Sequence, residues 1–198
     1  MNLPNRLTIA RLVLVPVFVV LMSIDHVATY ALAYITFTAA SLTDYYDGKI
    51  ARRRGMITAF GKLIDPLADK VLMAAAFVMA MKVPGLNVPG WTIVAILARE
   101  FLVTGARSLA ASDGTVIAAS SWGKAKTVIQ MVYIYAFLFF VIVARILSDI
   151  VPDWTDTIGR ILSIASLWAI VFVALFTVYT GIEFARTNWR TLKLGDVA

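Results

Sequence analysis

Four aspartates in two closely spaced pairs are the residues most able to do chemistry in this chain. They lie in Asp44-Tyr45-Tyr46-Asp47-Gly48-Lys49-Ile50-Ala51-Arg52 and, eight residues on, Gly61-Lys62-Leu63-Ile64-Asp65-Pro66-Leu67-Ala68-Asp69-Lys70. Spacings of three and four place each pair on one face of a helix. A short connection makes two helices antiparallel neighbours, so the two pairs can face one another. Four carboxylates in one pocket repel, since two charges about 4 Å apart at an effective dielectric of about 20 interact by about 4 kcal/mol. Protons, basic side chains or metal must offset them. Oxygen-only donors suit a hard divalent ion, Mg²⁺ or Mn²⁺, and four could hold two ions. Such a pair can clamp a phosphate, stabilise a leaving oxygen and acidify an attacking hydroxyl. Gly48 and Gly61 either serve helix packing or leave room for a phosphate or nucleotide to approach the backbone.

The elements that carry these residues are dictated by composition. Of 198 residues 61% are apolar and only 15% charged, against about 45–50% and about 25% in soluble domains. With a mean hydropathy of +0.84, the chain reads as an all-α integral membrane protein forming a single domain over residues 1–198. At 1.5 Å per residue a span needs about 20 apolar residues. Six such runs are predicted: Thr8–Ile24, Ala28–Gly48, Gly61–Met81, Trp91–Ala111, Lys126–Leu147 and Gly159–Phe184. A short juxtamembrane helix is expected ahead of the first. Asp44 then falls about 24 Å and Asp47 about 28 Å along the second span, which places the acids at an interface and not at the midplane.

With the N-terminus in the cytoplasm, thirteen of the 18 basic residues fall inside, among them Arg6, Arg11, Arg52, Arg107, Lys124 and Lys126, and Lys82, Arg145 and Arg160 fall outside. The positive-inside rule therefore puts both termini and the acidic cluster on the cytoplasmic side of the inner membrane. The net charge of +6 follows from this topology and from contact with membrane lipids, and it does not call for nucleic acid. Ala31-Leu32-Ala33 looks like a signal-cleavage site, but it lies inside the second apolar run, so the first span is retained. Trp91, Trp122 and Trp189 fall at span ends as interfacial anchors. The absence of cysteine excludes disulfides, thiolate nucleophiles and Cys-type metal sites, and a single histidine, His26, leaves no His-based metal site. Arg52, Arg53, Arg54, Lys62 and Lys70 could pair with the four aspartates as plain interfacial ion pairs. Membrane-embedded acids are by default functional, which favours the site.

A second cluster is basic. Arg99 lies near the middle of the fourth span, where an arginine costs about 2.5–3.5 kcal/mol on insertion scales and must face protein, water or a ligand. Glu100, Thr104 and Arg107 share one helical face. Lys124 and Lys126 stand at the start of the fifth span. Together with Arg107 they can hold a phosphate. Pairing of Arg99 or Arg107 with Glu100, and interfacial anchoring by the lysines, are the simpler alternatives.

The pattern Asp44-x2-Asp47-Gly48-x2-Ala51-Arg52-x8-Gly61-x3-Asp65-x3-Asp69 resembles the full signature of the CDP-alcohol phosphatidyltransferase family. The resemblance implies six transmembrane helices, a homodimer, a dinuclear Mg²⁺ or Mn²⁺ site, and transfer of a phosphatidyl group from a CDP-linked donor to an alcohol with release of CMP. It implies that Asp44, Asp47 and Asp65 are metal ligands and that Asp69 is both ligand and general base. Gly48, Ala51 and Arg52 would contact the CDP portion. Arg99–Arg107, Val116–Ser120, Gly123-Lys124-x-Lys126-Thr127-x2-Gln130-Met131 and Leu3-Pro4-Asn5-x2-Thr8-x2-Arg11 are similar to the phosphatidylglycerolphosphate synthase branch of that family. That likeness implies CDP-diacylglycerol as donor and sn-glycerol 3-phosphate as acceptor. Arg107, Lys124, Lys126 and Arg99 would hold the acceptor phosphate, and Asn5 and Thr8, with Gly61, would line the donor side. The competing expectations are a phosphatidyltransferase of the same fold using serine or inositol, and a divalent-cation transporter. Transport sites favour the midplane and broken helices.

Overall fold

A computed structural model describes residues 3–54, 59–118, 120–151 and 155–189, with the side chains of 3–5, 44–54, 59–63, 65, 66 and 155 outside the described set. Six helices follow one another: α1 (Leu3–Met22), α2 (Val27–Arg54), α3 (Ala59–Ala80), α4 (Gly90–Ser112), α5 (Ser121–Ile150) and α6 (Thr155–Thr187). No strand occurs among the described residues. Each predicted span lies on its own helix. The expected juxtamembrane helix is continuous with the first span, since α1 runs unbroken from Leu3. Pro4 sits in its first turn, where a missing N–H costs nothing. Three helices outrun their predicted spans: α2 continues past Gly48 to Arg54, α5 begins at Ser121 and α6 at Thr155. Hydropathy marks only the apolar part of a helix, and Lys and Arg are good helix formers beyond it.

The breaks have local causes. His26 accepts the Ala28 N–H at 3.1 Å through Nδ1 and so caps α2. The α3–α4 link carries Gly85 at φ +79 and ends at Pro89, the N-cap of α4. At the other end of α4, Gly114 takes φ +78. There the N–H of Thr115 reaches the Ala110 carbonyl at 2.8 Å and that of Gly114 the Ala111 carbonyl at 3.1 Å. This is the paired-bond C-cap that a left-handed residue permits.

The chain divides into two compact units. Unit 1 comprises residues 1–86 and 135–162. Within it α1 packs against α2 and α3, and α2 touches α3. Its core is built on Phe18 and Phe37, both fully buried, with ring centroids 5.8 Å apart. Tyr135 closes edge-on upon Phe37 at 5.3 Å and Tyr34 at 5.6 Å. At one end Asp25 accepts the Tyr30 hydroxyl at 2.9 Å and pairs with Arg145. Unit 2 comprises residues 87–134 and 163–198. Ile93, Ile96, Ile134, Ile170 and Val173 form its apolar interior.

Outward faces are apolar too. Leu102 is 72% exposed, Leu109 69% and Trp168 67%, with Val94, Phe172 and Leu175 similarly open. Water would penalise such surfaces and hydrocarbon does not. Ser121–Ile150 and 156–187 are long and apolar enough to cross a membrane.

Truncating Phe37 to Ala opens a cavity in the unit 1 core and is expected to lower stability by about 3 kcal/mol or more. Asp25→Asn breaks a pair whose partners are some 40% exposed and should cost about 1 kcal/mol or less. Denaturation in detergent followed by tryptophan fluorescence compares the two.

Candidate functional site

In unit 1, helix α2 carries Asp44, Asp47, Gly48, Ala51 and Arg52, and α3 carries Gly61, Asp65 and Asp69. Both acid pairs therefore lie in continuous helix, as their spacing requires. The side chains of Asp44, Asp47, Gly48, Ala51, Arg52, Gly61, Asp65 and Asn5 lie outside the described residues. Asp69 is exposed and Lys70 half-buried. Among the described residues no three acidic or histidine side chains gather as a metal site, and three of the four expected ligands are not in that set.

Thr8 and Arg11 are fully buried on α1. Their level follows from helix register. The Phe18–Phe37 contact fixes α1 against α2, and the two are antiparallel neighbours across a short turn. Seven residues back from Phe18 is Arg11, and seven on from Phe37 is Asp44. Both steps run the same way by about 10.5 Å, so Arg11 stands on α1 at the height of the first acid pair. Burying an arginine costs several kcal/mol unless its charge is compensated.

In unit 2 the basic residues gather around one carboxylate. Glu100 on α4 accepts the Lys126 ammonium from α5. It also accepts the Gln130 amide at 3.4 Å and lies 4.0 Å from Arg99 Nη1. Gln130 in turn donates to Thr177 Oγ1 on α6 at 3.2 Å. Lys126 is 5% exposed, Gln130 3% and Thr177 0%. A buried polar node thus joins three helices. The internal pairing of Arg99 with Glu100 weighed from sequence is present, and Lys126 shares the same carboxylate.

Arg107 takes a different environment. Its Cζ sits 5.3 Å from the centroid of the Phe184 ring, a cation–π contact that fixes the guanidinium plane. Its Nε is buried without a hydrogen-bond partner, and so is that of Arg99. Lys124, two residues before Lys126, is exposed. Residues two apart do not share a helix face, which separates the two lysines. Ser120 accepts the Gly123 N–H at 3.1 Å, capping α5, and its hydroxyl lies 3.5 Å from Glu183 Oε2. Glu183, Ser120, Phe184 and Thr187 help to line a cleft of about 300 Å³.

Gln130, Thr177, Gly181, Glu183 and Phe184 carry no role in the sequence reading. A signal for them exists. Thr177, Thr180, Gly181 and Phe184 recur at i, i+3, i+4 and i+7 and stripe one face of α6, and Glu183 is an acid that follows the uncharged stretch 161–182. Gly181 has a steric reason to be glycine: a Cβ there would stand 2.8 Å from Arg99 Cγ. Gly181→Ala is expected to displace Arg99 and cost about 1–3 kcal/mol. Arg99→Ala removes Cγ, so the double variant should lose no more stability than Arg99→Ala alone. A thermal-shift cycle on the four proteins measures this.

The family model described as CDP-alcohol phosphatidyltransferase matches residues 1–179. A Bacillus subtilis (strain 168) protein is 35% identical over 98% of this chain and 99% of its own length. A Rickettsia typhi protein is 37% identical over 94% and 98% respectively. Both bear the name CDP-diacylglycerol--glycerol-3-phosphate 3-phosphatidyltransferase. With the signature on α2 and α3 and a match over most of its length, the chain belongs to the CDP-alcohol phosphatidyltransferase family.

Proposed function

We propose that the chain transfers the phosphatidyl group of CDP-diacylglycerol to sn-glycerol 3-phosphate, yielding phosphatidylglycerol phosphate and CMP, as a step of phospholipid synthesis. The observation that carries this reading is the gathering of Arg99, Lys126 and Gln130 around Glu100, with Arg107 stacked nearby on Phe184, in a chain of this family. A neutral acceptor such as serine or inositol has no use for so many cations, whereas a phosphorylated one does. The names of the full-length relatives point the same way.

On this reading Asp44, Asp47, Asp65 and Asp69 of unit 1 hold two Mg²⁺ or Mn²⁺ ions, a fit supported by an all-oxygen donor set on two continuous helices. Two such ions would supply positive charge against the donor diphosphate and would lower the pKa of the attacking hydroxyl. Gly48, Ala51, Arg52 and Gly61 receive the CDP portion, with Asn5 and Thr8 bracing it. Asp69 takes the proton of the acceptor hydroxyl as its oxygen bonds to the phosphatidyl phosphorus. The bond from that phosphorus to the CMP oxygen breaks, and Arg52 offsets the charge left on CMP. A carboxylate with a reference pKa of about 3.9 is a weak base, so Asp69 acts by position and on a polarised hydroxyl. Arg107, Lys126, Arg99 and the more peripheral Lys124 hold the acceptor phosphate. The protein works as a homodimer with six spans, both termini and the site on the cytoplasmic side of the inner membrane, a placement favoured by the positive-inside count and the apolar outer faces.

Purified protein with CDP-diacylglycerol should release CMP only when a divalent ion and glycerol 3-phosphate are both present, and not with glycerol, serine or inositol. EDTA should stop the release and Mg²⁺ or Mn²⁺ restore it. Asp69→Asn is expected to abolish turnover in a folded protein, and normal release by that variant would remove Asp69 as base. Arg107→Ala should raise the KM for glycerol 3-phosphate far more than that for the donor; equal changes in both would dismiss the acceptor-phosphate assignment.

A further inference from the structure

We infer that Glu100 is the positioning residue of the acceptor-phosphate cluster, holding the Lys126 ammonium and the Gln130 amide at fixed places on α5 against α4. The inference rests on the acceptor reading above and goes further, because it gives an acid the task of arranging the cations that meet an anion.

At first sight a carboxylate among phosphate-binding cations is a disadvantage, since it repels the ligand. Three observations explain its presence. Lys126 is 5% exposed, and an ammonium at that depth without a counter-charge costs several kcal/mol. A lysine stem has four rotatable bonds, so its charge is spread over many positions unless something holds it. The same Glu100 oxygen also receives Gln130 Nε2, and Gln130 is held from its other side by Thr177 Oγ1. The acid is therefore anchored through a second helix pair, and Lys126 is fixed to an anchored partner.

The charge count supports the arrangement. Arg99, Arg107, Lys126 and the more peripheral Lys124 bring four positive charges, and Glu100 and Glu183 bring two negative charges to the same unit. The cluster remains net positive by two. A site with the cations alone would be self-repelling when empty; a site with this balance stays folded without ligand and still attracts a dianion. Arg99, held 4.0 Å from the same carboxylate and laid against Gly181, is set by the same residue.

A purely structural role for Glu100, as a brace between α4 and α5, is the competing account, and the two differ in what a swapped pair would do. Glu100→Gln is expected to raise the KM for glycerol 3-phosphate by about tenfold or more, the scale set by one charge-assisted hydrogen bond. The KM for CDP-diacylglycerol should change less than twofold or so on the same scale. The paired variant Glu100→Lys with Lys126→Glu keeps the attraction but moves the ammonium to α4. It should recover the thermal midpoint and leave the acceptor KM raised. Recovery of the wild-type acceptor KM by the swap would show a brace and overturn the inference. So would an unchanged acceptor KM in Glu100→Gln when Arg107→Ala raises it, an outcome that leaves the acceptor reading standing. No effect of Arg107→Ala on the acceptor KM would bring down that reading and this inference together. Should Glu100→Gln fail to fold in detergent, Glu100→Asp, which keeps the charge and draws it back by one methylene, takes its place: a raised acceptor KM at an unchanged donor KM is expected, and an unchanged acceptor KM overturns the inference.

Discussion

The buried polar residues described in unit 2 answer one constraint: a charge taken out of water among apolar helices must meet a compensating group, whether a hydrogen bond, an opposite charge or an aromatic face. The desolvation penalty is several kcal/mol per ion, more than any surface ion pair returns. It selects the residues that surround Lys126 and Arg99, and it decides where helices may approach. Glu100, Gln130 and Thr177 are the response in unit 2. On α1 the fully buried Thr8 and Arg11 face the same demand at the height of the first acid pair. The apolar residues, by contrast, are little constrained by polarity, since Leu102 or Trp168 is equally comfortable against lipid or a neighbour.

Much of this was readable in the sequence, for physical reasons. Six helices follow from six apolar runs, because in a bilayer a helix is the only single-segment way to satisfy the backbone. Their ends were harder to read. Arg52–Arg54 continue α2 beyond the apolar run, and the juxtamembrane helix merges with the first span, since nothing between Leu3 and Thr8 stops a helix once Pro4 is in the first turn. The signature acids could be found from spacing alone, as i, i+3 and i, i+4 are geometrical statements about a helix. The unit 2 node could be found only in part. Arg99, Arg107 and Lys126 announce themselves by charge, whereas Gln130, Thr177 and Gly181 matter through what lies across from them, and a sequence does not state which faces meet.

The separation of Lys124 from Lys126 teaches a related lesson. Both are lysines at one helix start, and charge counting treats them alike. Helical geometry does not, since two residues turn the side chain through about 200°. One is solvated and the other is locked to Glu100. Ser120 likewise does two jobs from one hydroxyl, capping α5 and reaching toward Glu183.

The Glu100 node also sets an order of events during synthesis. Lys126 is made 26 residues after Glu100, Gln130 30 residues after it, and Thr177 another 47 after Gln130. Until α5 and α6 pack against α4 none of them can reach Glu100. Arg99 can, next door in the chain, and the opposite charges of the two offset one another in the isolated helix. Their adjacency thus acts as a temporary escort, which hands the carboxylate over to α5 and then to α6 as each arrives.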